Sequence, residues 1–257
     1  MERIVIDKEK VKEELIERDL FLLQKDLLKQ RRTRIFVMSL LIGSLILTVI
    51  YGTLENPLEY TLSKIGNYFT YRWLFIVWAI ITGFAIQTAT LVLFHLENYK
   101  AKHQYIYNSL SAIFLIITAI IPSLYLIYPF WHFLHTLFAI IYAFFVFMSI
   151  SPFVVWVSKN NPRLRTSLSI WLNVIWVGAL FPLILFGKSG MFELWFFITM
   201  IIFLLYLSLV LFEEKIVKMS VAFLKDECDL NMAIEKIYVN LEKDYTFKFP
   251  QRKKKSD

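Results

Sequence analysis

The amino-acid sequence predicts an all-α polytopic membrane protein with six transmembrane helices. Of its 257 residues, 58% are hydrophobic, which is more apolar surface than a soluble domain of this length can bury. These residues also form runs of roughly 20, the length that a helix needs to cross about 30 Å of hydrocarbon. The net charge of +7 fits the collection of Lys and Arg on the cytoplasmic side of membrane proteins. We therefore predict the lipid bilayer, and no nucleic acid, as the partner.

Residues 1–34 are predicted to form a cytoplasmic amphipathic helix. Aliphatic side chains recur there at helical spacing, for example at Val11, Leu15 and Leu27. The segment ends in KQRRTR, a basic block directly before the first apolar run, as at the cytoplasmic end of a span. A cleavable leader is not expected, because a long charged segment precedes that run.

Residues 35–212 are predicted to hold the six spans. The tract 105–157 has no acid or base over 53 residues, and one helix of that length would measure about 80 Å. It must therefore fold back, and we place the turn at YPFWHF, where Pro129 interrupts the helix. The predicted spans are 35–51, 73–95, 105–127, 132–156, 167–186 and 191–212.

Six spans place both termini on one side of the membrane, and charge predicts which side. The loops 96–104 and 158–166 carry five bases against the single acid Glu97, whereas the opposite side carries three of each. We therefore predict the bacterial cytoplasmic membrane with both termini inside. Residues 213–257 form a predicted helical tail capped at Asp229 or Asn231, with a basic end that could bind anionic lipid or a protein partner. Cys228 in this tail is either an acylation site or an ordinary free thiol.

The segment NPLEYTLSKIGNYFTYRW, residues 56–73, is predicted to be a structured lid on the outer side. Asn56 resembles an N-cap with Pro57 and Glu59 behind it, and Gly66 with Asn67 resembles a stop with left-handed backbone geometry. The short helix between these signals is predicted to lie flat on the lipid, with Leu62 and its apolar neighbours facing down. The predicted lid or ligand-contacting residues are Glu55, Glu59, Ser63, Gly66, Asn67 and Trp131.

A weak metal signal accompanies the lid. His132 and His135 are three residues apart and share one helical face, and Glu193 is predicted to lie at the same membrane level. Two imidazoles and a carboxylate could hold zinc and leave a position for water. The alternative is that both histidines hydrogen-bond backbone or lipid headgroups at the interface.

The predicted spans contain no deeply placed charge but several polar groups: Gln87, Asn108, Thr118 and Asn173. Such side chains commonly hydrogen-bond between helices, and a transport path is the alternative. Prolines 122, 152 and 182 could break helices around a substrate, although single prolines are also tolerated in spans without that role.

Three features recur in a known arrangement: Ser63-Lys64-Ile65-Gly66 after the first span, the Trp-rich YRWLFIVW, and His135 at the start of an apolar helix. In these features the chain resembles the six-span family of damage-regulated autophagy modulators and its bacterial relatives of unknown function. The resemblance covers about residues 35–212. It implies six spans and an outer position for Ser63 and His135, and it implies no catalytic activity.

Three functions are compatible with these features. The favoured hypothesis is a non-enzymatic membrane protein that binds lipid or a partner, because it has a capped outer segment, no buried charge and amphipathic ends. The second is an outer-facing metal-dependent hydrolase that uses His132 and His135. The third is a small transporter or channel subunit, which requires a continuous polar path through the spans.

Overall fold

The computed structural model describes residues 8–225, and every regular element within that range is helical. The all-α prediction is confirmed for this part of the chain. A 3-10 helix at Pro162–Leu164 precedes α6. The α-helices are α1 (Lys8–Gly52), α2 (Leu62–Tyr68), α3 (Arg72–Leu96), α4 (Lys102–Ile120), α5 (Pro129–Asn160), α6 (Arg165–Trp176), α7 (Leu180–Phe186) and α8 (Gly190–Lys225).

Contacts between residues divide the chain into two units. The first unit comprises residues 1–33 and 212–257, and the second comprises residues 34–211. In the described part of the first unit, Lys218 Nζ lies 2.7 Å from a carboxylate oxygen of Glu214, one helical turn earlier. The predicted cap at Asp229 or Asn231, the basic C-terminal end and Cys228 lie outside the described residues.

Helix α1 continues through the basic block of residues 29–34 without a break. The sequence analysis expected one helix to end there and a separate span to begin at residue 35. No proline or glycine lies between Lys8 and Ile42, so nothing in the local sequence stops the helix.

Five segments are long and apolar enough to cross a membrane within the range that the structure describes. They agree with five of the six predicted spans in position and are compatible with a multi-pass membrane protein. The five segments are Gln24–Gly52, Arg72–Leu96, Pro129–Asn160, Pro162–Phe186 and Gly190–Lys218.

Helix α4 corresponds to the third predicted span but ends seven residues early, at Ile120 rather than residue 127. The reason is Pro122, because the residue before a proline is disfavoured in the helical region. Ile121 accordingly has extended backbone angles, φ −74° and ψ 129°. Pro129, predicted as the breaking residue, instead stands at the start of α5, where its missing N–H costs nothing.

The predicted span 167–186 is not one helix but two, α6 and α7, separated at residues 177–179. The amides of Val177 and Gly178 both donate to the carbonyl of Asn173, each at 2.9 Å. The carbonyl of Val174 instead accepts a 2.9 Å hydrogen bond from the indole of Trp195 on α8. A side chain from another helix therefore satisfies the backbone group that the break sets free, as hydrocarbon requires.

The second unit holds two aromatic clusters at opposite ends of α3. Near the start of α3, Phe75 and Trp78 stack with Tyr51 of α1, and Trp78 also meets Phe197 of α8 edge-on. Near its end, Phe94 meets Phe153 of α5 with ring centroids 4.8 Å apart. We refer to the first end, which carries α2, as the α2 side and to the other as the opposite side.

Candidate functional site

The polar segment that precedes α3 folds as a turn followed by a short helix. Asn56 Oδ1 accepts from the amide of Leu58, and Asn56 Nδ2 donates to Glu59 Oε1, both at 3.1 Å. Asn56 therefore organises a turn at residues 57–59, which is the local side-chain bonding typical of asparagine, and does not cap α2. The N-cap is Thr61, whose hydroxyl accepts from the amide of Lys64.

The predicted end of the lid helix at Gly66 is wrong. Gly66 lies inside α2, and among the glycines of the described chain positive φ occurs at Gly187. Gly66 is required for another reason, because a Cβ there would lie 2.6 Å from Cβ of Phe75 and 3.0 Å from the Tyr51 hydroxyl. A side chain at this position would push α2 away from α1 and α3.

The predicted lipid-facing orientation of this helix is also wrong. Leu62 and Ile65 are 1% and 0% exposed and pack within the protein, whereas Leu58 in the preceding turn is 47% exposed. Because Leu62, Ile65 and Gly66 all face inward, the apolar face of α2 contributes to the protein core. The lid is thus a packed element of the second unit.

Glu193 at the start of α8 holds the first turn of α2. Its Oε2 accepts a 2.7 Å hydrogen bond from the amide of Leu62, one of the amides that a helix leaves without an internal partner. The Tyr51 hydroxyl donates to the carbonyl of the same residue at 2.7 Å. The amide of Met191 donates to the carbonyl of Pro57 at 3.0 Å. Residues of α8 therefore hold this polar segment at two positions, Pro57 and Leu62.

A chain of polar side chains crosses from α2 to α5, and we call it the α2-side cluster: Thr61, Ser63, Ser123 and His132. Thr61 and Ser63 hydroxyls lie 3.1 Å apart, and the Ser63 hydroxyl donates to that of Ser123 at 3.4 Å. The Ser123 hydroxyl lies 3.1 Å from His132 Nδ1. Ser63 and Ser123 are buried, whereas His132 is partly exposed, so the cluster leads from the protein interior to its surface.

Two lysines lie near the exposed end of this cluster. Lys188 and Lys64 are close enough to His132 to interact electrostatically with its imidazole. Lys64 is partly exposed on α2, and Lys188 is exposed in the turn before α8. The two lysines present positive charge and N–H donors at this surface, beside the His132 ring.

The structure does not assemble the predicted zinc site. Among the described residues, no three His, Cys, Asp or Glu side chains are grouped so that they could hold a metal ion. His135 is buried, with Nδ1 3.1 Å from the carbonyl of Ile121, while Glu193 bonds the backbone of α2. Both histidines therefore bond the segment after α4, at Ser123 and Ile121, whereas Glu193 bonds the start of α2.

The remaining predicted lid residues are dispersed. Asn67 bridges two elements, because its Nδ2 donates to the carbonyl of Ser63 at 2.7 Å and its Oδ1 accepts from Arg72 at 3.2 Å. Glu59 is exposed and accepts a hydrogen bond from Asn56. Glu55 is partly exposed, and Trp131 is 46% exposed beside Phe130.

The loop before α5 and the first turns of that helix expose large apolar side chains next to the cluster. Leu126 is 85% exposed, and Tyr125 meets the His132 ring edge-on with centroids 5.6 Å apart. Exposed aromatic and aliphatic side chains in such numbers are typical of the boundary between lipid headgroups and hydrocarbon. The exposed residues are Tyr125, Leu126, Ile127, Tyr128, Phe130, Trp131 and Phe133.

The predicted intramembrane polar residues occupy two different environments. Gln87 and Asn108 are buried between α3 and α4, where Gln87 Nε2 donates to Ser111 Oγ at 2.5 Å and Asn108 Nδ2 approaches the Gln87 carbonyl at 3.4 Å. Asn173 is exposed and donates to the carbonyl of Ser169 on its own helix. Thr118 likewise bonds within α4, to the carbonyl of Phe114.

Sequence analysis identified Ser63 and His132 but missed the residues that connect them. Ser123 is a lone serine after a proline, and Thr61 gave no signal beyond an ordinary polar residue in a loop. Pro122 was the available clue, because a helix that ends there places the next residue beside the start of α5.

Comparisons with protein-family models, with curated proteins and with solved structures found no match to this chain.

Proposed function

We propose that this protein is a six-crossing, non-enzymatic membrane protein that binds the phosphate-bearing headgroup of a lipid at its α2-side cluster. The observation that carries the proposal is the chain of hydroxyl groups that ends at His132, with Lys64 and Lys188 close enough to interact with its ring.

Helix α4 supplies the sixth crossing in this proposal. Its 19 residues measure about 28 Å at 1.5 Å per residue, close to the thickness of the hydrocarbon. Arg72 at the start of α3 bonds the carbonyl of Ile120 at the end of α4 (2.7 Å), and Ser149 of α5 bonds Gln104 at its beginning (3.2 Å). Since α4 is paired from end to end with two apolar helices that can cross, it must share their depth.

Six crossings place both chain ends on the same side of the membrane, the side away from α2. The loops on that side carry the excess of Lys and Arg, which assigns it to the cytoplasm. The α2 side then faces outward. Membership of the six-span family named above is part of the same proposal, supported by the position of Ser63 and His135 on the α2 side.

A lipid headgroup fits the α2-side cluster for two physical reasons. Lys64 and Lys188 offer the charge and N–H donors that a phosphate requires, whereas the His132 ring and the inner hydroxyls add neutral hydrogen-bonding groups. The exposed loop around Leu126 would lie at headgroup level, so that a lipid reaches the cluster without leaving its leaflet.

Native mass spectrometry of the full chain tests this function by titration with phosphatidylglycerol and phosphatidylcholine. In the double variant Lys64→Gln/Lys188→Gln, we expect the affinity of one bound phosphatidylglycerol to fall about tenfold or more, because each base near the surface contributes about 1 kcal/mol. His132→Ala should weaken both lipids, since the imidazole would bond the phosphate that they share.

The matched control is Lys100→Gln/Lys102→Gln, which removes two exposed lysines from the opposite side. Equal losses in the two double variants would refute a headgroup site at the α2-side cluster, because they would show only a response to net charge.

A further inference from the structure

Helix α6 exposes a row of polar side chains along one face. Arg165, Ser169 and Asn173 are spaced by four residues, and all three are exposed together with Thr166. The segment Pro162–Phe186 is also the least buried of the five membrane-crossing segments, at 22%. A polar face turned towards hydrocarbon is costly unless something satisfies it.

This face lines an open surface groove of about 450 Å³. Its chemistry changes along the helix. A guanidinium and a hydroxyl stand at the first turn, a second hydroxyl and an amide follow, and the aliphatic chains of Ile170 and Val174 complete the lining.

The deep end of the groove is fixed by the break between α6 and α7. The carbonyl of Asn173 accepts two amides there, and the carbonyl of Val174 is held by Trp195 of α8. Because another helix anchors this end, the groove is a feature of the folded second unit and not of α6 alone.

Charge complementarity indicates what fills the groove. Arg165 follows Lys159 and Arg163 within six residues of chain, and no acid occurs between residues 98 and 192. Within the part of the chain that the structure describes, no carboxylate forms an ion pair with Arg165. The open end of the groove therefore favours an anion.

A phospholipid presents an anionic phosphate, ester oxygens and an acyl chain in the same order as the groove presents its partners. We propose that this groove binds an anionic phospholipid of the leaflet on the opposite side. Its phosphate contacts Arg165 and Thr166, its ester oxygens meet Ser169 and Asn173, and its chain lies along Ile170 and Val174. This second lipid site is separate from the α2-side cluster and does not depend on it.

The test is lipid titration of the purified full chain by native mass spectrometry with dioleoyl phosphatidylglycerol and dioleoyl phosphatidylcholine. Arg165→Gln should lower the affinity of one bound phosphatidylglycerol about fivefold or more, because it removes the charge nearest the phosphate. The loss of affinity caused by Lys64→Gln/Lys188→Gln should be the same whether or not Arg165→Gln is also present. Lys102→Gln, which removes one exposed charge from the same side, should have no such effect. Asn173→Leu should weaken both lipids at this site, since it removes a contact to the ester region.

Two results would overturn the proposal. One is that Arg165→Gln and Lys102→Gln lower phosphatidylglycerol affinity equally. The other is a dimer mass that Asn173→Leu dissociates while lipid affinity stays constant, which would assign the groove to a second copy of the chain. Arg165 is exposed, so its variant should retain the thermal transition of the parent protein, and that transition is measured alongside.

Discussion

The α2-side cluster and the exposed face of α6 contain the same kinds of residue in opposite surroundings. Ser123 contacts Ser63 of α2 and His132 of α5, so this cluster joins three separate segments, whereas Asn173 bonds a carbonyl of its own helix. The first set is therefore part of the protein's tertiary structure, and the second is available for a ligand. Whether a polar side chain in such a protein is structural or available to a ligand thus depends on whether a neighbouring element contacts it.

The largest effect is expected where α2 packs against its neighbours. Gly66→Val should lower the free energy of unfolding by about 3 kcal/mol, because the added side chain overlaps Phe75 and overpacking costs this much. Unfolding in mixed detergent micelles measures the change. Gly43→Val is the control, since nothing lies within 4 Å of a Cβ at Gly43; equal destabilisation of the two variants would contradict the packing of α2.

A smaller effect is expected from the carboxylate that holds the start of α2. Glu193→Gln should cost about 1.5 kcal/mol, because the new amide can turn an N–H instead of an oxygen towards the Leu62 amide and so lose this bond. Protease cleavage within residues 53–61 should also become faster. Glu59→Gln, which changes an exposed acid bonded to Asn56, should leave both measurements unchanged, and a similar response in the two variants would show that Glu193 does not anchor α2.

The smallest effect separates buried from exposed polarity directly. Ser111→Ala should cost about 1 kcal/mol, because it leaves the buried amide of Gln87 without its 2.5 Å partner. The identical change Ser169→Ala on the exposed face of α6 should alter stability by less than about 0.5 kcal/mol. Unfolding midpoints of the two variants provide the comparison, which fails if Ser169→Ala proves the more damaging.

Much of the fold followed from the sequence, because a bilayer imposes a length and a composition on each helix that crosses it. The run Arg72–Leu96 was predicted to within one residue at each end. The end of α4 was misplaced because the apolar run continues past Pro122. Hydropathy measures only how apolar a residue is and does not show that a proline ends the helix. The break at residues 177–179 was missed for a similar reason, since the residues directly on both sides of it are apolar.

Less of the site could be predicted. Ser63 and His132 were recognised as polar residues at the correct level, but their connection through Ser123 depends on how α2 and the start of α5 are packed. Glu193 was assigned to a metal, because residue type and membrane level alone do not distinguish a metal ligand from a partner for backbone amides.

The sequence by itself determined that the chain is helical, that it has apolar segments of membrane-crossing length and that its bases and acids are distributed unequally between the loops. These properties depend on the preference of each residue for water or lipid, so they can be predicted from the sequence without the tertiary structure. Only the tertiary structure decided that α2 faces the core, that Glu193 binds its first turn and that the polar face of α6 remains uncovered. Each of these depends on which distant segment fills a given space, and close packing settles that choice only when the whole unit is assembled.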